Sequence, residues 1–268
     1  MTTRAAVVGV GGRMGAQLVK AIHEAPGMKL AAAIDQAGGQ AIGKDAGSLA
    51  GLPPCGVSVS GDLRAALTGI DVVIDFSRAE AVAATADACA AAGVALMVGT
   101  TGLDAATKER LDAAATRVPV LVSANTSLAL NVLLDLVERA AGALPNGYDI
   151  EIFEAHHRHK VDAPSGTALV LGEAAARGRG EQLPRRPGLT GSHPGARVPG
   201  GIGFSVVRGG DVVGEHDVRF LGAGEQLRLT HVATDRAIFA RGAIAAAGWL
   251  VGRAPGRYRM ADFLFQKQ

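Results

Sequence analysis

The sequence predicts an α/β chain in two parts. The first is a parallel sheet covered by helices on both faces; the second is a smaller α+β part with a mixed, largely antiparallel sheet. Three observations carry this. In the first half, short apolar runs rich in β-branched residues alternate with helical stretches, the pattern of buried parallel strands. From Ser127 onward a long amphipathic stretch gives way to strands of period two. Near residue 236 an apolar helical stretch returns. The expected boundaries are therefore 1–126 with 237–268 for the first part, and 127–236 for the second.

Taken in order, RAAVVGV (4–10) is a strand that ends in glycines, and RMGAQLVKAIHEA (13–25) carries Met14, Leu18 and Ile22 on one helical face. MKLAAAID (28–35) is a second strand, closing on an acid. DVVIDFS (71–77), VALMVGTTG (94–102) and VPVLVSANTS (118–127) follow as strands, with Ala-rich helices over 78–92 and 104–116. SLALNVLLDLVERAAGAL (127–144) is an amphipathic helix with Ser127 at its N-cap. YDIEIFEAHH (148–157) alternates, with Ile150, Ile152 and Glu154 on one face, and TALVLGEAAA (167–176) is a further helix. Residues 178–200, rich in Gly, Pro and Arg, read as a surface loop. Residues 201–233 read as antiparallel strands, with Gly209-Gly210-Asp211 as a hairpin turn and Leu227 and Leu229 alternating in the last strand. The helix over 236–251 is expected to pack back on the first part.

A chain of 268 residues suits two modest domains. Hydrophobic residues make up 48% and aromatics only 4%, so the core is built from Ala, Val, Leu and Ile. The net charge of +2 comes with no basic tract, which argues against nucleic-acid and membrane-surface partners. Cys55 and Cys89 lack CxxC spacing and read as reduced thiols, not as a disulfide or a zinc site. No run reaches the ~18 apolar residues of a membrane span, and the N-terminal run is too short for a signal peptide. The expected compartment is the cytoplasm.

The first strand runs into Gly9-Val10-Gly11-Gly12-Arg13-Met14-Gly15, a GxxGxxG pattern and not a strict GxGxxG. On its own that is weak. Here it follows a strand, opens a helix and precedes a strand that ends at Asp35, 20 residues after Gly15. Free helix N–H groups suit a pyrophosphate, and the carboxylate suits an adenosine ribose. This predicts a Rossmann-like dinucleotide-binding domain; the plainer alternative is a tight turn with no ligand. Gln36, not Arg, follows Asp35, which leans toward NADH, while Arg13 leaves NADPH open. GTTG (99–102) and SANT (123–126) end two further strands, where ligands of open parallel sheets lie. As a set they suit the nicotinamide ribose and carboxamide.

EAHHRHKVDAPSGTA (154–168) concentrates polar chemistry in a chain that is only 19% charged. A metal site over His156, His157 and His159 fits poorly, because adjacent strand residues face opposite ways and no Cys or helical HxxxH supports it. A solvated polar loop is the plain alternative. The third reading is acid–base work on an anion: histidine for proton transfer, Lys160 as a fixed charge, and Ser165-Gly166-Thr167 opening a helix as a carboxylate site. With a hydride source upstream, that set suits a small dicarboxylate.

GVGGRMG, DVVIDFS, VGTTG, EAHHRHKVDAPSGTA and GFSVVRGGDVVGEHDVRF, in this order, resemble the dihydrodipicolinate reductase family over nearly the whole chain. The histidine stretch is the specific part. The resemblance implies a cytoplasmic homotetramer of lysine biosynthesis by the diaminopimelate route, with the second part serving substrate binding and oligomerisation. It implies NADH or NADPH as cofactor, no metal, and a cyclic imine dicarboxylate as substrate. By the same resemblance His156 is the proton donor and Lys160 a second catalytic group, while His157, Gly166 and Thr167 hold substrate together with Ser165. Gly9, Val10, Gly11, Gly12, Arg13, Met14, Asp35, Gln36, Gly99, Thr100, Thr101, Ser123, Ala124, Asn125 and Thr126 match cofactor positions. Gln36 stands where some members have Arg, and Thr126 where some carry an aromatic. His159 and Asp162 are assigned structural support. The site is expected in a cleft between the two parts, with hinges near 127 and 236. The competing class is a non-catalytic NAD(H)-sensing regulator, for which the sequence offers no DNA-binding element. A semialdehyde dehydrogenase would need a nucleophilic Cys in the second part, and both cysteines lie in the first.

Overall fold

A computed structural model describes residues 2–183, 197 and 201–266. Most of the stretch expected as a surface loop over 178–200 lies outside the described residues. The chain divides into two compact units, Met1–Leu128 with Ala237–Gln268, and Ala129–Arg236.

The first unit runs β1 (Thr3–Val8), α1 (Arg13–Glu24), β2 (Met28–Ile34), α2 (Ala46–Leu49), β3 (Val59–Ser60), α3 (Leu63–Ala66), β4 (Val72–Asp75), α4 (Ala79–Ala92), β5 (Ala95–Val98), α5 (Ala105–Ala115) and β6 (Pro119–Val122). Then α6 (Leu128–Ala143) leads into β7 (Asp149–His156), α7 (Gly166–Gly178), β8 (Ile202–Arg208), β9 (Gly214–Gly222) and β10 (Glu225–Ala233). The chain returns to the first unit for α8 (Ala237–Leu250), β11 (Gly256–Tyr258) and α9 (Met260–Leu264).

The first sheet is parallel throughout, in the order β11-β6-β5-β4-β1-β2-β3. Its strands alternate their side chains between two apolar cores. Ala5, Val7, Ala33, Val72, Ile74 and Met97 pack with Leu18 and Ile22 of α1 and with Ala243, Ala247 and Leu250 of α8. Ala6, Val8, Ile34, Val73, Leu96 and Val98 pack on the other face with Val82, Ala86 and Cys89 of α4 and Leu111 of α5. Small residues in α8 allow a close approach: a Cβ on Gly242 would lie 1.8 Å from the Thr126 carbonyl oxygen. Cys55 and Cys89 are not paired, and burial pushes the Cys89 thiol far above its usual range. Strand order reverses about β1, so the carboxyl ends of β1 and β4 form the switch point where such sheets take ligands.

In the second unit α6 and α7 cover one face of a four-stranded sheet ordered β10-β9-β7-β8. Ile150, Ile152, Phe204, Val218 and Phe220 fill the core against Leu130, Leu133, Val137 and Leu171. The hairpin expected at Gly209-Gly210-Asp211 does not form. β8 pairs parallel with β7, and β7 pairs antiparallel with β9, so β7 lies between the two runs. The backbone of that turn bonds to the end of β7 instead: Gly209 N–H donates to the His156 carbonyl and Arg158 N–H to that of Gly210. The two-residue hairpin of this sheet is Ala223-Gly224, joining β9 to β10, with Gly224 at φ +84°. Among the described residues no helix is long and apolar enough to cross a membrane.

Candidate active site

Beyond the carboxyl ends of β1, β2, β4 and β5 lies a groove of about 1400 Å³. Gly9, Gly11, Gly12, Asp35, Gln36, Gly99, Thr100 and Thr101, all expected at the cofactor site, line it together with Phe76, Ser77 and Arg78. Three details fit it to a dinucleotide. The start of α1 is capped only by Gly12, with no side-chain hydrogen bond and no acid in its first turn, so its positive dipole end is left for an anion. Asp35 accepts from the Gly11 N–H at 2.5 Å and the Gln36 N–H at 2.7 Å, which holds the carboxylate at the groove edge. A Cβ on Gly11 would fall 2.4 Å from Asp35 Oδ2, and one on Gly99 would fall 2.0 Å from Phe76 Cζ. Glycine at both positions keeps these walls open.

The remaining residues expected to serve the cofactor are placed differently. Val10 is buried in the α1 core and Met14 packs against it. Arg13 is exposed, outside the residues that line the groove. Ser123, Ala124, Asn125 and Thr126 follow β6. Ser123 Oγ donates to the Asn125 carbonyl and Thr126 Oγ1 to the Phe239 carbonyl, each at 2.6 Å, so both hydroxyls serve to shape this loop. Among the groove-lining residues, Thr100 turns its hydroxyl inward, toward Asp75 and the Ser77 carbonyl.

In the second unit the polar stretch forms one connected network. Glu154, wholly buried on β7, is its centre. Arg208 at the end of β8 grips both carboxylate oxygens, Nη1 to Oε2 at 2.7 Å and Nη2 to Oε1 at 2.8 Å. His156 Nδ1 donates to Oε2 at 2.6 Å, and the Ser165 N–H to Oε1 at 2.9 Å. Ser165 caps α7, its hydroxyl accepting from the Ala168 N–H and meeting His216 Nε2 at 3.1 Å. His216 lies edge-on to His156, ring centroids 5.2 Å apart. Lys160 Nζ donates to Asp162 Oδ2 at 2.8 Å, and Arg208 Nη2 holds the Asp162 carbonyl at 2.6 Å. His157 is half-buried; Gly166 and Thr167 form the first turn of α7.

The electrostatics follow from burial and charge. Burial pushes the Glu154 carboxyl up, but Arg208, His156 and the Ser165 N–H outweigh it and hold it below the usual range. Burial lowers His156, and Glu154 only partly restores it against Lys160 and Arg208. His157 is lowered by desolvation and then by the charges of Arg236, Lys160 and Arg208. His216 falls to about 3, chiefly through burial and then through His156. This surplus of positive charge around neutral imidazoles is the setting in which a bound dianion raises histidine pKa values. Removing one partner of a buried pair such as Glu154–Arg208 costs about 3–5 kcal/mol.

Glu154, Arg208 and His216 are not among the site residues that motif and spacing mark in the sequence. Glu154 has the period-two signature of a core position, and its partner Arg208 lies 54 residues away. An acid on an otherwise apolar strand face is the one signal that could have found it. Among the described residues no three His, Cys, Asp or Glu groups converge as a metal site.

Residues 3–126 match the family model for the dihydrodipicolinate reductase N-terminus, and residues 129–264 that for its C-terminus. The chain is 51% identical over 271 residues to the 4-hydroxy-tetrahydrodipicolinate reductase of Anaeromyxobacter dehalogenans, covering 98% of this chain and 97% of that one. It is 50% identical over 269 residues to that of Thiobacillus denitrificans, covering 98% and 99%. A dipicolinate-bound dihydrodipicolinate reductase from Paenisporosarcina superposes with a TM-score of 0.79 at 25% identity, over 99% of this chain and 100% of that one. An amine dehydrogenase from Mycobacterium smegmatis, at 15% identity and a TM-score of 0.72, shares the fold. Family models matched along both halves, and relatives about half identical over nearly the whole of both chains, establish that it belongs to the dihydrodipicolinate reductase family.

Proposed function

We propose that the chain is a 4-hydroxy-tetrahydrodipicolinate reductase of lysine biosynthesis, with His156 as proton donor. The observation that carries this is the His156–Glu154–Arg208 network beside Lys160 and the capped start of α7. A nicotinamide cofactor held in the groove lined by Gly9, Gly11, Gly12 and Asp35 would supply a hydride for the ring of a cyclic imine dicarboxylate, formed from the 4-hydroxy compound by loss of water. His156 Nε2 then protonates the resulting enamine carbon. Lys160 binds one substrate carboxylate by exchanging its ion pair with Asp162. The positive start of α7, at Gly166 and Thr167 with Ser165 shaping the turn, takes the other, and His157 adds a polar contact. Each such charge-assisted bond is worth about 1.5–3 kcal/mol. The regulator reading has no use for a buried, charge-clamped histidine.

The direct test is NADH oxidation followed by absorbance, with the substrate generated in situ by the preceding synthase. Turnover is expected; none with pure, folded protein would sink the enzyme reading. NADH is the proposed preferred cofactor, since the Asp35 carboxylate stands at the groove edge with Gln36 beside it and would repel a 2′-phosphate. Asp35→Ala is expected to weaken NADH roughly 10–100-fold while affecting NADPH less. Equal losses would take the carboxylate off the ribose. A homotetramer is proposed on the open face of the second sheet, where Val207, Leu221 and Val232 are exposed. A monomer mass by light scattering would refute it.

A further inference from the structure

We propose that Glu154 is the positioning residue of this site: its carboxylate, clamped by Arg208 and the Ser165 N–H, accepts the Nδ1 hydrogen of His156 and leaves Nε2 to carry the transferable proton. The inference rests on the reading of His156 as proton donor and names what makes it one.

Glu154 Oε2 lies 2.6 Å from His156 Nδ1. A carboxylate can only accept there, so Nδ1 must bear hydrogen in both the charged and the neutral ring. The proton given to substrate then leaves from Nε2, and the neutral product ring keeps its bond to Glu154. A second fate is open to the Nδ1 hydrogen, transfer to Glu154 itself. Arg208 blocks it: its permanent charge grips both oxygens, and the Ser165 N–H adds a third donor, so the carboxylate stays ionised. Burial alone would drain positive charge from His156, as would Lys160 and Arg208, and Glu154 opposes all three. The other titratable group against the ring is His216, packed edge-on from β9 and neutral. Arg208 also holds the Asp162 carbonyl, so one side chain sets both the histidine and the loop that carries Lys160.

Glu154→Gln reverses the polarity. With the amide oxygen turned to the Ser165 N–H and Arg208, its NH₂ donates toward Nδ1, which favours the Nε2–H neutral ring and disfavours the imidazolium. In the full-length enzyme the variant is expected to lower kcat on the order of 10²-fold. Substrate KM and NADH affinity should stay within about twofold of the parent, as for an interaction made in the proton-transfer step. The high-pH limb of kcat/KM should move to lower pH by about one unit. Glu154→Asp, which keeps the charge, should bring the limb back toward the parent position. A folded Glu154→Gln protein with an unmoved limb would overturn the inference.

If that variant does not fold, the parent enzyme decides. Ring ¹⁵N resonances of histidine-labelled protein, with His156 assigned through His156→Gln, should show the neutral ring protonated at Nδ1; protonation at Nε2 overturns the proposal. The two readings separate cleanly. If His156→Gln leaves the limb in place, the proton-donor reading falls. If it removes the limb and Glu154→Gln does not shift it, only the role of Glu154 falls.

Discussion

Replacing His156 with Gln is expected to lower kcat by about 10²-fold or more, the usual scale for loss of a general acid. Glutamine is of similar reach and stays neutral, so it removes the proton and spares the volume. Cofactor affinity should survive, because the groove is built from the first unit and His156 stands on β7 of the second. The pH dependence gives a second readout. In the proposed role the acid form of His156 is the active one, so the rate is expected to fall as pH rises through its pKa. Burial, Lys160 and Arg208 hold that pKa below the ordinary histidine value in the free enzyme. A bound dianion raises it. The limb should therefore lie at higher pH in kcat, which reports the complex, than in kcat/KM, which reports the free enzyme. A variant with unchanged kcat and an unchanged limb would remove His156 from the proton step.

Gly15→Ala is the second large effect. Gly15 is buried in the first turn of α1, where a Cβ would fall 2.3 Å from the Gly9 carbonyl oxygen and 2.5 Å from Val10 Cα. These are backbone atoms and cannot swing aside. The helix must back away from β1, or the glycine turn must open. Overpacking of this kind costs about 1–3 kcal/mol, and for a chain of this size each kcal/mol moves Tm by roughly 2–4 °C. The functional loss should be larger, since the turn that moves carries the α1 N-terminus, the proposed pyrophosphate site. We expect NADH affinity to fall at least about tenfold alongside a lower Tm. Titration and thermal unfolding check both, and parent-like values in the two would show that the turn tolerates the methyl.

The glycine turn could be read from the sequence because each of its rules is local. A strand ends, three glycines recur at fixed spacing, a helix begins, and an acid closes the next strand at Asp35. The Ser165 cap was equally legible, since a capping side chain reaches only three residues ahead, here to Ala168. β3 and β11 escaped because two and three residues are too few to show a period. At Gly209-Gly210-Asp211 the turn chemistry is genuine, but turn chemistry says only that the chain reverses. It cannot say that β7 stands between the strands it joins, or that the turn's own backbone bonds to His156 and Arg158.

The same division runs through the chemistry. Residue type and spacing were sufficient to mark most strands and helices, the glycine turn and the polar histidine–lysine stretch, because periodicity, capping and charge act over a few residues. The ionised state of Glu154, the ring nitrogen of His156 that donates to it, and the fall of His216 to about 3 depend on burial and on partners from separate strands. Desolvation and hydrogen-bond polarity exist only once β7, β8 and β9 are side by side, so the acid–base character of the stretch belongs to the folded unit.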